Sequence, residues 1–214
     1  MSSAPNRKMT ADEYLKAERA ATTKSIFFRG EMFAMSGAKR PHILIVGNTH
    51  TAINVQLQDR PCEAYMADMR VKNHRTGSYF YPDVSATCES PKFEDEEFDT
   101  LLNPQVIIEV LSESTEKFDR VQKFDDYKLL ESVKEYVLIS QKRMHVERFT
   151  RQTESTWEYW SAKNADDVLD LGTIGCQIPL AQIYNKVEFK PDDANDRGEG
   201  DLKVIEEKAS FLSS

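Results

Sequence analysis

A chain of 214 residues, 40% hydrophobic and with net charge −8, is the size of one α/β domain with trimmings, so two full domains are not expected. No segment approaches the roughly 18 uninterrupted apolar residues of a membrane span, which excludes a transmembrane helix and leaves no membrane partner to expect. Met1 to Thr10 lacks the apolar stretch of a secretory signal, so the expected setting is cytoplasmic.

Met9 to Arg19 (MTADEYLKAER) reads as a short helix, with Thr10 as N-cap, Asp12 and Glu13 in the first turn, and Tyr14 and Leu15 as apolar contacts. Ser25 to Met35 (SIFFRGEMFAM) sets two apolar runs around Arg29-Gly30-Glu31, a hairpin signal. From Arg40 to Leu57 the positions Ile43, Val46, Ile53 and Leu57, with Leu44 and Ala52, share one broad helical face, and Pro61 ends the helix. Two short extended runs follow, Glu63 to Met66 and Met69 to Val71, then a turn over Asn73 to Ser78.

Tyr79 to Cys88 (YFYPDVSATC) reads as one strand, because Val84, Ala86 and Cys88 alternate with Asp83, Ser85 and Thr87. Glu89 to Asp99 (ESPKFEDEEFD) carries −5 and reads as a solvated loop. Pro104 to Leu111 (PQVIIEVL) is a nearly continuous branched run, as a central strand covered on both faces requires. In Glu116 to Leu130, Phe118, Val121, Phe124 and Tyr127 predict a second long helix. Glu135 to Ser140, Met144 to Phe149, Thr156 to Trp160 and Asp167 to Leu171 read as a meander of strands. Residues 188–214 form an acidic tail expected to be loosely ordered, leaving 9–187 as the domain.

The tail from Phe189 carries −3, so the tail and the acidic loop account for the whole −8 and the remaining body is balanced. A balanced body neither excludes a nucleic-acid partner nor argues for one. Cys62, Cys88 and Cys176 are odd in number, far apart and without a CxxC pair, so they read as reduced core residues rather than a disulfide or zinc framework.

The most informative acids are Asp83 in Tyr-Pro-Asp-Val and Glu109 in Val-Ile-Ile-Glu-Val-Leu. A carboxylate inside so apolar a run costs several kcal/mol unless its charge is compensated. Two acids from neighbouring strands can share a hard divalent cation, with phosphate oxygens and waters at its open positions. Bare spacing equally fits Glu109 bonded to an Arg or Lys and Asp83 capping the turn after Pro82.

The order of these segments resembles the Uma family of "putative restriction endonucleases" over roughly Met9 to Val187. The matching segments are Gly30-Glu31, Asp68-Met69-Arg70-Val71, Tyr81-Pro82-Asp83-Val84, Ile108-Glu109-Val110-Leu111-Ser112, Asp119-Arg120, Lys123-Phe124, Tyr127 and Glu135 through Ile139. The resemblance implies an α/β restriction endonuclease-like αβββαβ core with a mixed central sheet, an N-terminal hairpin and a C-terminal β-meander. It implies a metal-dependent endonuclease acting on DNA, with Mg2+ or Mn2+ held by Asp83 and Glu109. Such cores often pair, so a homodimer is expected. Leu111 stands where the usual motif lysine falls two residues after the Glu, and Lys123 matches the helix lysine thought to replace it. Glu31 and His42 match positions near such sites, as metal-shell or phosphate contacts; His42 reads equally as a helix-end residue meeting solvent. His50, His74 and His145 receive no role, and Asp119 reads as a structural partner of Arg120 or Lys123, or as a cap.

The chain also departs from the pattern. Ile26-Phe27-Phe28-Arg29-Gly30-Glu31 lacks two acids that similar hairpins carry, and Ser112-Glu113-Ser114-Thr115 adds one. The alternative expectation is therefore a catalytically degenerate protein of the same fold that binds without cleaving.

Overall fold

The computed structural model describes residues 8–190, and most of the acidic tail lies outside them. The first helix, α1 (Ala11–Ala20), opens with a complete capping box: Thr10 Oγ1 accepts from the Glu13 amide, and the Glu13 carboxylate accepts from the Thr10 amide. The hairpin follows as β1 (Ser25–Phe28) and β2 (Glu31–Ala34). Its two-residue turn places Arg29 and Gly30 at φ 53° and 87°, the left-handed pair that matches strand twist. The long helix α2 (Arg40–Leu57) buries Ile45, Val46, Ala52, Ile53 and Leu57 on one side, with Pro41 in its first turn, where a missing N–H costs nothing.

Next come β3 (Glu63–Met66), β4 (Arg70–Asn73), β5 (Ser78–Phe80), β6 (Val84–Thr87), β7 (Thr100–Leu101) and β8 (Val106–Leu111). Then follow β9 (Glu135–Ser140), β10 (Val146–Arg151), β11 (Trp157–Ala162), β12 (Val168–Leu171) and β13 (Cys176–Pro179). A six-stranded mixed sheet has the order β11-β10-β9-β8-β6-β3, with β8 and β9 parallel, while β2-β1-β5-β4-β7 form a second sheet and β12-β13 a ribbon. Among the described residues no helix is long and apolar enough to cross a membrane.

Strand β8 is buried along its whole length, and its alternation feeds two separate cores. Val106, Ile108 and Val110 join Ile45, Ile53 and the β12-β13 ribbon; Ile107 and Leu111 join Phe80, Tyr127, Tyr136 and Leu138. Glu109 shares the parity of the second set, so a carboxylate stands in an otherwise apolar file.

Four expectations are corrected. Tyr79 to Cys88 is not one strand: Tyr81-Pro82-Asp83 separates β5 from β6, and the two belong to different sheets. Proline removes a ladder donor at the crossing. The second long helix forms where expected, over 116–127, but its winding differs: Phe118–Lys123 is π-helical and runs into the short α3 (Phe124–Tyr127). The Asp119 carbonyl, which a regular α-helix directs at the Lys123 amide, accepts the Tyr136 hydroxyl at 2.9 Å.

The acidic loop is pinned rather than merely solvated. Arg19 grips Asp95 and Asp99, Arg70 pairs with Asp99, and Lys72 pairs with Glu94. Finally, Cys62 and Cys88 form a disulfide. The β3–β6 register pairs Glu63 with Thr87, so the next positions outward are the two cysteines, with Cα atoms 4.0 Å apart despite a separation of 26 residues. Cys176 alone is a free, buried thiol, as expected. The β13 strand and the terminal turn α4 (Leu180–Ile183) had no counterpart in the sequence pattern.

Candidate active site

The β6–β8 register builds the site. Val84 lies opposite Ile108, so Asp83 enters β6 beside Glu109. The Asp83 carboxylate is fixed at both oxygens: Oδ2 accepts the Val110 amide at 2.7 Å, and Oδ1 lies 2.9 Å from His42 Nε2. His42 reaches it from the first turn of α2, and both side chains are about 15% exposed. His42 is therefore part of the site rather than a solvent-facing helix end.

Glu109 is closed off from solvent. Its Oε1 lies 2.6 Å from Lys123 Nζ, and the same ammonium is 3.5 Å from Asp119 Oδ1. Burial pushes the Glu109 carboxyl well above the usual carboxylate range; Lys123 works against that shift, while Asp119 and Asp83 add to it. Burial also opposes the Lys123 charge, but Glu109 and Asp119 override it and hold the ammonium above its ordinary range. Two acids contact one ammonium and Asp83 adds its field, so the ammonium form is favoured and it is the surplus negative charge that burial resists. The ammonium also sits over the Phe80 ring, 5.8 Å from its centroid.

The structure thus gathers Asp83, Glu109, Lys123 and His42. In this arrangement each acid has its own basic neighbour, His42 for Asp83 and Lys123 for Glu109. Glu31 is exposed and pairs with Phe28 in the edge hairpin, and among the described residues it has no contact with the other four that would give it a part in the site. Asp119, read from sequence as structural, lies within the group. Its signal was its i,i+4 spacing to Lys123, which spacing alone cannot tell from an ordinary helix pair.

Among the described residues no group of three or more His, Cys, Asp or Glu side chains is arranged to hold an ion. The donor set fits a hard cation that keeps much of its hydration: two carboxylates from the chain, with water and substrate oxygens completing the shell. It does not resemble the nitrogen and sulfur set of a structural zinc site.

The six-stranded mixed sheet, with its N-terminal hairpin layer and C-terminal meander, is a nuclease-like α/β fold. A crystal structure of a "putative nuclease belonging to DUF820" from Anabaena variabilis has this architecture, with TM-score 0.66, 18% identity, and coverage of 82% of this chain and 97% of that one. The chain belongs to the Uma2 family, "Putative restriction endonuclease", whose pattern matches residues 11–181. It is similar to two uncharacterized proteins of Synechocystis sp. PCC 6803. It is 38% identical to sll1609 over 154 residues, which is 72% of this chain and 87% of that protein. It is 30% identical to slr1290 over 187 residues, which is 87% and 97%.

Proposed function

We propose that the chain is a metal-dependent endonuclease that hydrolyses phosphodiester bonds in DNA, with Asp83, Glu109 and Lys123 as its catalytic residues. The observation that carries this reading is the buried Glu109–Lys123 pair in the middle of β8, beside Asp83 at the entry to β6. Asp83 and Glu109 would hold Mg2+, with Mn2+ as a substitute. A bound cation supplies charge for the phosphoryl oxygens and a water of lowered pKa.

The chain's own residues do the rest. The Val110 amide and His42 fix the Asp83 carboxylate in one orientation, and the Lys123 ammonium, kept dry, stabilises negative charge developing on the phosphate. We place the enzyme in the cytoplasm as a homodimer.

A second reading, a degenerate binding protein, draws on the basic partner each acid already has and on the acids missing from the first hairpin. Nicking of supercoiled plasmid separates the two. The nuclease requires nicking that depends on Mg2+ and disappears in Asp83→Asn. Nicking that survives the substitution, or calorimetry showing an intact fold that takes up neither Mg2+ nor Mn2+, overturns it.

A further inference from the structure

Lys123 faces a problem that the geometry resolves. Its side chain is 7% exposed and its nearest counter-ion is Glu109, the carboxylate assigned to the cation. If Glu109 turned to a dication with no substitute in place, the ammonium would be left buried and unpaired, which burial strongly disfavours. Lys123 would then hold Glu109 back and compete with the metal for it.

The second carboxylate is already there. Asp119 is 5% exposed at its side chain, with Oδ1 3.5 Å from Nζ, and a shift of about 0.7 Å brings the pair to the length of a charged hydrogen bond. Its backbone is anchored on both sides: the amide donates to Thr115 O at 2.8 Å and the carbonyl accepts from Tyr136. The neighbouring Arg120 points elsewhere, to Glu116 and Glu147, so it does not draw on this carboxylate.

We propose, resting on the cation reading above, that Asp119 is a positioning residue: it keeps Lys123 at the site while releasing Glu109 to the cation. The consequence is that Asp119 controls metal affinity without touching metal, and does so only through Lys123.

Calorimetric titration of the full chain with MnCl2 in the absence of DNA tests this. Asp119→Asn is expected to weaken Mn2+ binding about tenfold, because Lys123 then stays with Glu109. Lys123→Met loses the competing ammonium but leaves Glu109 more readily protonated, so at about pH 8, where that second effect is smallest, it is expected to bind at least as tightly as the parent. The double variant is expected to recover the affinity lost in Asp119→Asn. Parent-like binding by Asp119→Asn overturns the role of Asp119, as does a double variant no better than Asp119→Asn. If Asp119→Asn does not fold, the single Lys123→Met variant decides, and weaker binding there refutes the competition. A parent chain that takes up no Mn2+ sinks the cation reading itself, whereas the other failures leave that reading standing.

Discussion

The Cys62–Cys88 bridge makes the sharpest stability prediction. It ties the connection after α2 and the edge strand β3 to the far end of β6, across a separation of 26 residues. On the chain-entropy account, a loop of that size lowers the entropy of the unfolded chain enough to stabilise the fold by about 3.5 kcal/mol. Reduction with dithiothreitol, or the substitution Cys88→Ser, is therefore expected to cost that amount. At about 2 to 4 °C per kcal/mol for a chain of this size, the melting temperature should fall by roughly 7 to 14 °C. Urea denaturation of oxidised, reduced and Cys88→Ser protein measures it, with Cys176, buried and unpaired, contributing equally to all three. If the three curves agree within about 1 kcal/mol, the bridge does not restrain the unfolded chain and the reasoning fails.

Other outcomes follow from the same contacts. Lys123→Met is expected to slow plasmid nicking by about 100-fold or more, since it removes a preorganised charge at the phosphate. It also removes the group opposing the upward shift of Glu109. A carboxyl whose folded pKa is raised favours the fold below its unfolded value, and that contribution is lost as pH rises through the folded one; the variant should therefore lose stability between about pH 5 and pH 8 relative to the parent. Urea curves at the two pH values check this, and equal differences refute it. Asp99 runs the other way: Arg19, and then Arg70, hold its carboxyl well below the usual range, so its contribution is present above about pH 4 and disappears as pH falls. Because the loop is largely exposed, Asp99→Asn should cost only about 1 kcal/mol at pH 7 and flatten the acid limb of the stability profile. Thr10→Ala, which breaks the capping box, should cost about 1 kcal/mol by thermal unfolding.

The elements that were legible in the sequence are those in which one periodicity ran uninterrupted. The apolar face of Arg40 to Leu57, the branched run of β8 and the turn at Arg29-Gly30 each carry their own local reason to form. What could not be read depended on pairings between distant segments. The Cys62–Cys88 bridge follows from the register of β3 on β6, and the split of Tyr79 to Cys88 from which sheet each half joins. The widened turn at Phe118–Lys123 goes with a hydroxyl supplied by Tyr136 from β9. Within the site, Asp83, Glu109, Lys123 and His42 were found as residue types in order, but the partner each one holds is a three-dimensional fact. Glu31 lies exposed on the edge strand of the hairpin sheet, so a motif position matched in sequence carries no contact that would assign it a part in the site.

The passage Tyr81-Pro82-Asp83 has a mechanical consequence. It is the joint at which the chain leaves one sheet and enters the other, and Asp83 is the last residue before β6 begins. Glu109, by contrast, is embedded midway along a fully covered strand and moves only with the central sheet. The gap between the two carboxylates is accordingly set by how one layer is seated on its neighbour, so a load that levers the hairpin layer sideways reaches the acids without contacting either.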